Sequence, residues 1–424
     1  MSLQVCRLSR LPLVSVTLFM RVGELDMARE RAGWAVLAGA ALDGGSGRRS
    51  GADMAEAFER IGAAVSINVS WEGTAAHLQC SADHLDTALP LLAEMIREPA
   101  FPRREVERVR DQQLAGIRHM RRDPSGMATT EANRRYFVPG HPFARPRSGT
   151  PESVEGVSPV RLSELTEARY RPANAGLIVV GDVEPAAVEQ LATNRLGNWH
   201  GSPPPRDAHR SGPASRERRL WVVNRPGSVQ SVLRVGHVGA SVKTDDHFAL
   251  LVGNLILGGM FSSRLNLSLR ERHGFTYGAR SGFSFRSLPG PFQVSTSVGT
   301  EVTAPAVGVI VSELERLVEE GASAAEAEAA RDFAIGAFGL RLETAGQVAS
   351  RLSYAFVHGL PRDHFPRYRE RVSKVTSEEI SEALRRRVRP TECQIVVVGD
   401  AEKIEPSLEA LGIGEVTVVE PDEG

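Results

Sequence analysis

Short apolar runs and longer amphipathic stretches follow one another along this chain. Residues 13–22 form a run rich in β-branched side chains, which predicts a buried strand, and the runs near 64–70 and 74–80 predict two more. Longer amphipathic stretches at about 83–96 and 103–121 predict helices. Strands and helices come in blocks, so the pattern predicts an α+β fold whose antiparallel-rich sheets carry helices on one face.

This pattern occurs twice. An Arg-Pro pair, an apolar run and a Gly-Asp pair occupy residues 171–182 and recur at 389–400, an offset of 389 − 171 = 218. An Arg-Asp pair inside a predicted helix occurs at 110–111 and at 331–332, an offset of 331 − 110 = 221. Markers that share nearly one offset predict two homologous halves.

The division between the halves is predicted from composition. Residues 201–219 contain three successive prolines and many charged residues, which is typical of an interdomain linker. We therefore expect an N-terminal α+β half at 1–200, a linker at 201–219 and a C-terminal α+β half at 220–424.

Composition narrows the function classes. A net charge of −1 gives no electrostatic reason to expect a nucleic acid or a membrane surface as partner. The three cysteines, Cys6, Cys80 and Cys393, are an odd number without a Cys-x-x-Cys pair, which argues against a disulfide framework. No apolar run approaches the roughly 20 residues of a membrane span. No convincing signal peptide is visible, so the compartment stays open between cytoplasm and periplasm.

The richest candidate chemistry lies in residues 257–277. A Leu-Gly-Gly turn leads into Ser-Arg-Leu, and Phe261, Leu265 and Leu269 lie four apart, which predicts one apolar helix face. A glycine at 274 then interrupts the helix and precedes a strand-like run at 277–285.

Arg270 and Tyr277 lie on either side of that glycine. Because the chain can turn back there, both polar groups could reach one ligand. Arginine offers a forked cation for carboxylates or carbonyls, and a phenol can donate to a developing oxyanion.

The stretch resembles the C-terminal motif of the pitrilysin/insulinase-type zinc metallopeptidases. The resemblance implies that Arg270 and Tyr277 bind substrate and stabilise the transition state, and that the two halves face each other as a clamshell. His273, between them, is expected to be a bystander more often than a substrate contact. His141 lies in a connection that resembles the Gly-x-His-Pro…Arg-Pro…Gly-Thr pattern often seen in the family, and we interpret it as a packed loop residue.

Active members of that family carry His-x-x-Glu-His on a helix of the N-terminal half. The corresponding context here places Val36 and Ala40 at the two histidine positions and Gly39 at the base. The distant Glu ligand falls at about Gly116. No His-x-x-Glu-His occurs elsewhere in the chain, and no two histidines lie three or four residues apart. The resemblance therefore implies no metal in this chain.

The favoured hypothesis is a non-catalytic subunit of a heterodimeric zinc metalloendopeptidase, inactive alone. Arg270 and Tyr277 would then serve a homologous His-x-x-Glu-His-bearing partner that holds the zinc and acts on a peptide substrate. The alternative is an inactive peptide-binding or assembly protein of the same fold, like the family's structural members in respiratory complexes. A homodimer with an unrelated activity is less favoured, because no Ser/His/Asp or Cys/His set stands out.

Overall fold

The structure is a computed structural model, and it describes residues 1–206, 209 and 212–421. Residues 207, 208, 210 and 211, which belong to the predicted linker, and residues 422–424 lie outside the described part of the chain.

The N-terminal half contains five strands and eight α-helices among its described residues. The strands are β1 (Ser2–Arg7), β2 (Leu13–Met20), β3 (Ala64–Val69), β4 (Thr74–Ser81) and β5 (Ala175–Gly181). The helices are α1 (Trp34–Ala40), α2 (Gly51–Glu59), α3 (Leu85–Arg97), α4 (Arg103–Arg122), α5 (Pro124–Tyr136), α6 (Pro151–Val154), α7 (Pro159–Arg169) and α8 (Pro185–Leu196).

The described C-terminal half contains six strands and eight α-helices. The strands are β6 (Arg219–Asn224), β7 (Gln230–Val238), β8 (Arg280–Phe283), β9 (Pro291–Gly299), β10 (Gln394–Gly399) and β11 (Glu415–Val419). The helices are α9 (His247–Asn254), α10 (Arg264–Asn266), α11 (Thr303–Glu320), α12 (Ala324–Leu340), α13 (Ala345–His358), α14 (Tyr368–Ser373), α15 (Ser377–Arg387) and α16 (Ala401–Glu409).

The strand order confirms both the α+β class and the predicted duplication. The first sheet has the order β1-β5-β2-β4-β3, and the second has β11-β6-β10-β7-β9-β8. Without β11, the second order is β6-β10-β7-β9-β8, which is the first order with five added to each strand number. Equivalent strands therefore occupy equivalent places in the two sheets. The β1–β5 and β10–β6 pairs are parallel, as is β11–β6, and the remaining pairs are antiparallel. The sequence pattern did not predict β1 or β11.

The chain forms two compact units that are each discontinuous in sequence. One comprises Met1–Ile117, Pro146–Ala208 and Gly339–Phe365, and the other comprises Arg118–Arg145, His209–Phe338 and Pro366–Gly424. Helix α5 therefore belongs to the unit of the C-terminal sheet, and α13 belongs to the unit of the N-terminal sheet. Since α5 follows α4 as α13 follows α12, the two halves have exchanged equivalent helices.

In the first unit, alternating residues of β2 supply two cores. Val16, Leu18 and Met20 are fully buried in the main core, which also contains residues of α1, α3 and α4. Phe19 points to the other face and packs with Ile178 of β5 and the exchanged helix α13. Both faces of β2 are thus covered, and its two polar residues, Ser15 and Thr17, are buried as well.

In the second unit, α5 packs on β7 and β10 through polar as well as apolar contacts. The Arg234 guanidinium donates to Ser125 Oγ at 2.6 Å, and the buried Tyr136 hydroxyl lies 3.5 Å from Gln293 Oε1. A Cβ on Gly236 would lie 2.9 Å from the Tyr136 oxygen, so only glycine allows this close approach.

His237 gives the second unit a pH-dependent stability. Its ring is buried, with Nδ1 2.9 Å from Val238 O and Nε2 accepting from Arg389 N at 3.0 Å, which fixes the neutral form. Burial is the main cause that lowers the pKa of His237 to about 4; the hydrogen bond to Val238 O opposes this shift, and the Arg389 charge contributes to it. The unfolded chain therefore binds the proton first as pH falls below about 6.5.

We expect the free energy of unfolding to decrease by about 2 kcal/mol between pH 7 and pH 5 through His237. Urea unfolding at both pH values measures the decrease, and the His237→Gln variant should show a smaller one. An equal pH dependence in the variant would contradict this assignment.

One helical stretch, His247–Arg272, is long and apolar enough by length and composition to cross a membrane, contrary to the expectation from the sequence. Half of its most apolar window is buried within the protein. A single stretch of this kind, half buried, is weak evidence for a membrane span.

Candidate functional site

The segment from 257 to 280, hereafter the Arg–Tyr segment, begins where α9 ends in a π-helical turn, Leu255–Gly259. A Cβ on Gly258 would lie 2.6 Å from Ser281 N of β8, so the backbone of the two elements touches there. Leu265 and Leu269 are fully buried, as the predicted apolar face requires. Phe261 is 69% exposed, so its assignment to that face was wrong, because the helix starts only at Arg264.

The Ser-Arg-Leu motif anchors the segment to the helices behind it. The Arg264 guanidinium is almost buried and binds Glu326 of α12 through two hydrogen bonds of 2.7 and 2.8 Å. Its Nη2 also donates to Gly321 O at 2.8 Å. The buried Ser268 hydroxyl donates to Glu313 of α11. These contacts fix the helix that carries Arg270.

Arg270 emerges from the second π-helical turn, Leu267–Arg272, with its guanidinium stacked on a neighbour. The guanidinium carbon lies 4.2 Å from the centroid of the exposed Phe261 ring, a cation–π contact. The nearest carboxylate contact joins Arg270 Nε to Glu271 Oε1 at 3.5 Å, beyond a good hydrogen bond.

Gly274 ends this helix in the left-handed conformation, with φ +65°. Its N–H donates to Arg270 O at 3.1 Å, and Phe275 N donates to Leu269 O at 2.8 Å, so the chain reverses as predicted. His273 is exposed, and its ring stacks on Phe275 at 5.0 Å. Its role toward substrate stays a prediction.

Tyr277 follows the reversal and is 98% exposed. Among the described residues, none forms a hydrogen bond with its hydroxyl. The predicted strand at 277–285 was too long, because β8 covers only Arg280–Phe283 and Tyr277 lies in the preceding turn. The aromatic side chain is therefore presented to solvent rather than packed in a sheet.

The turn that carries Tyr277 is nevertheless held from both sides. Thr296 of β9 donates from Oγ1 to Thr276 Oγ1 at 2.9 Å and lies 3.0 Å from Gly278 O. Asn266 Oδ1 accepts from Ala279 N at 2.8 Å, while its Nδ2 lies 3.1 Å from Met260 O and 3.2 Å from Ser263 Oγ. Asn266 thus joins the beginning and the end of the Arg–Tyr segment, a role the sequence pattern did not reveal.

The positions at which the family resemblance places metal ligands carry apolar residues in this chain. Val36 is half-buried, Ala40 is exposed, and Gly39 is buried against β3, where an added Cβ would lie 2.3 Å from Val69 Cγ2. Gly116 is exposed, with open space around the position of a Cβ. None of these four residues has a side-chain donor atom for a metal.

The nearby carboxylate of Glu24 is already occupied. Glu24 is fully buried, and it accepts hydrogen bonds of 3.0, 2.9 and 3.2 Å from the N–H groups of Gly33, Ala35 and Val36 at the start of α1. Within 1–206, 209 and 212–421, no group of three or more His, Cys, Asp or Glu side chains could hold a metal ion. The residues present here do not fit zinc.

Two family models match this chain in sequence. The model described as "Insulinase (Peptidase family M16)" matches residues 9–139, and the one described as "Peptidase M16 inactive domain" matches residues 157–333. The chain belongs to the M16 peptidase family. The resemblance of the Arg–Tyr segment to this family is thereby confirmed. The two family models match successive parts of the chain, in agreement with the repeated strand order.

Relatives across the M16 family have similar lengths but differing names. An uncharacterized zinc protease of Mycobacterium bovis is 25% identical over 378 residues, 88% of this chain and 85% of that protein. A non-peptidase homolog of Helicobacter pylori is 23% identical over 410 residues, 93% of this chain and 90% of that protein. The crystal structure of a peptidase M16 inactive domain from Pseudomonas fluorescens has a TM-score of 0.88 and 23% identity, covering 94% of this chain and 95% of that one.

We expect opposite responses to an added methyl group at the two glycines, Gly39 and Gly116, that the resemblance places at metal-site positions. We expect Gly39→Ala to lower the free energy of unfolding by about 1–2 kcal/mol, because its Cβ collides with Val69. Gly116→Ala, in open space within α4, should raise it by about 0.5–1 kcal/mol. Urea unfolding measures both, and Val69→Ala added to Gly39→Ala should recover part of the loss. A stabilising Gly39→Ala change would contradict the contact with β3.

The Asn266 contacts give another expectation for this M16 chain. We expect Asn266→Leu to lower the free energy of local unfolding of the Arg–Tyr segment by about 1–3 kcal/mol, because the variant leaves Ala279 N without its acceptor. Limited trypsin digestion should then cut at Arg270 or Arg272 faster than in the parent chain. Asn224→Leu, which removes a comparable contact to Ala401 N, is the matched control and should leave those sites protected.

His141 is a packed loop residue, as predicted. It is buried, its ring stacks on Phe137 at 4.7 Å, and its Nδ1 accepts from Phe143 N at 3.0 Å. Burial lowers the pKa of His141 to about 4, helped by the charges of His209 and Arg286. These contacts account for the histidine without a metal.

Proposed function

We propose that this chain is the non-catalytic subunit of a heterodimeric zinc metalloendopeptidase. Its partner is a homologous subunit that carries His-x-x-Glu-His and holds the zinc. This chain contributes Arg270 and Tyr277, which bind the peptide and stabilise the oxyanion of the partner's reaction. Alone, the chain does not hydrolyse peptide bonds.

One observation carries the proposal: an exposed tyrosine on a turn fixed by Asn266 and Thr296. A tyrosine 98% exposed contributes little apolar burial to folding, yet two side chains fix the backbone around it. This is the arrangement of a preorganised donor, whose hydroxyl is free for a ligand. The hydrophobic residues at the M16 metal positions supply the other half of the argument, because the zinc ligands must then come from another chain.

The residues of this chain have separable tasks in that complex. The Arg270 guanidinium, held over Phe261, binds a carbonyl or carboxylate of the peptide and orients it. The Tyr277 phenol donates a hydrogen bond to the oxygen on which negative charge develops. Zinc chemistry belongs to the partner subunit.

Reconstitution tests the proposal. The chain is purified alone and after co-expression with a His-x-x-Glu-His homologue from the same genome, and cleavage of a quenched-fluorescence peptide library and zinc content are measured. We expect no cleavage and no stoichiometric zinc in the isolated chain, and both in the complex. Cleavage by the isolated chain would refute the proposal, and so would a partner subunit that is equally active in the absence of this chain.

A second candidate, an inactive peptide-binding or assembly protein, is favoured by the name of the Helicobacter pylori relative, "Non-peptidase homolog". Affinity capture from the native organism separates the two. A co-purifying His-x-x-Glu-His protein supports the first, and an unrelated assembly with no M16 member supports the second.

A further inference from the structure

The exposed surface of the Arg–Tyr segment combines apolar and cationic side chains. Phe261, Leu267 and Tyr277 are 69%, 47% and 98% exposed. The charged residues near them in sequence include three arginines, Arg270, Arg272 and Arg280, but only one carboxylate, that of Glu271. Arg264 does not add to this surface, because Glu326 neutralises it behind the segment. The surface is therefore cationic as well as apolar.

Arg270 differs from Arg135, another arginine stacked on an aromatic ring, in its unused hydrogen-bonding capacity. Arg135 stacks on Trp221 at 3.6 Å and also binds the Glu131 carboxylate at 2.6 Å. Arg270 stacks on Phe261, but within the described part of the chain no acceptor forms a hydrogen bond with its guanidinium. The stack fixes the plane of the group and leaves its fork of donors open, which lowers the entropic cost of binding a planar anion.

From this geometry we propose that Arg270 on Phe261 forms a subsite for a peptide carboxylate that lies beside an apolar side chain. The carboxylate occupies the open edge of the guanidinium through two parallel hydrogen bonds. The apolar neighbour covers Phe261 and Leu267. The substrate class is thus an acidic-apolar peptide, and the inference rests on the proposed function in that the ligand of the segment is a peptide.

Two sources can supply that carboxylate, an acidic side chain or a free C-terminus, and one set of probes separates them. The probes are fluorescein-labelled ten-residue peptides containing Leu-Glu or Leu-Gln at the centre, each with an amidated or a free C-terminus. Their binding to the full chain, alone and in complex with its partner, is measured by fluorescence anisotropy in low and high salt.

We expect the Leu-Glu peptide to bind about five- to tenfold more tightly than the Leu-Gln peptide, whichever C-terminus it has, with the difference shrinking in high salt. A preference that follows the free C-terminus instead assigns the same subsite to terminal carboxylates. Equal binding of all four peptides overturns the carboxylate subsite but leaves the proposed function standing. No binding of any probe, to the chain or to an active complex, also overturns the subsite, and an inactive complex refutes the proposed function separately.

Variants separate the fixed guanidinium from surface charge in general. Arg270→Gln should abolish the Glu-over-Gln preference, and Arg270→Lys should retain only part of it, because an ammonium lacks the planar fork. Arg272→Gln, which removes a neighbouring exposed charge, is the matched control and should leave most of the preference. An equal loss of preference in Arg272→Gln and Arg270→Gln would show nonspecific attraction and overturn the subsite.

Discussion

Tyr277→Phe should reduce kcat of the reconstituted complex by about 10²–10³-fold, the usual effect of removing one donor from a developing oxyanion. The change deletes a single oxygen from a side chain that is 98% exposed, so stability and assembly should be unchanged. Because the donor acts on charge that grows in the transition state, kcat should fall more than KM rises. Steady-state kinetics on one cleaved peptide, with size-exclusion chromatography of the complex, measures both parts.

Tyr170→Phe supplies the matched control for the loss of a phenol. The Tyr170 hydroxyl is buried and lies 3.3 Å from Thr74 Oγ1, so its removal should cost stability but leave kcat unchanged. A normal kcat for Tyr277→Phe in an intact complex would remove the catalytic role. The chain would then fit the assembly hypothesis better, because its most exposed aromatic side chain would have no chemical task.

The contacts around Tyr277 explain how an exposed side chain can still be preorganised. Two backbone groups of its turn, Gly278 O and Ala279 N, are bound by the side chains of Thr296 and Asn266, and Thr296 also binds the Thr276 hydroxyl. The phenol can rotate about its own side-chain bonds, but its Cα cannot move far. Positioning of this kind limits the entropy lost when substrate binds.

The sequence pattern predicted what depends on local order. Alternation and apolar runs predicted most strands, and the offset of about 218 residues predicted the duplication that the repeated strand order confirms. The reversal at Gly274 was predictable because a glycine that ends a helix needs few tertiary contacts. The strands and the reversal depend on neighbouring residues, and the duplication is visible because the same local markers occur twice in the sequence.

Features that depend on distant partners were not predictable. Periodicity shows that α5 and α13 each have an apolar face, but it does not identify which sheet covers that face. Thr296 lies 20 residues from Thr276, and nothing in the local sequence pairs them. Phe261 fits the helical spacing of Leu265 and Leu269, yet the helix begins after it and leaves its ring exposed.

The second large effect concerns the base of the Arg–Tyr segment. We expect Glu326→Gln to lower the free energy of unfolding by about 3 kcal/mol, because it leaves the almost buried Arg264 charge without its counter-charge. Glu326 itself is partly exposed, which places the effect at the low end for a broken ion pair. Urea unfolding near pH 7 measures the loss, and Glu370→Gln, at an exposed ion pair, is the control with a change below about 1 kcal/mol.

The ion pair also has a defined pH range. Hydrogen bonds from Arg264 hold the pKa of Glu326 at about 2, below that of an unfolded glutamate. The stabilisation is therefore complete above about pH 4.5 and is lost as pH falls toward 2. Replacing both partners, Arg264→Met with Glu326→Leu, should be less destabilising than Glu326→Gln alone, because no buried charge is left unpaired. If the double variant is the less stable one, the cost lies in lost packing or in the Gly321 contact, and the ion pair is not what anchors Arg270.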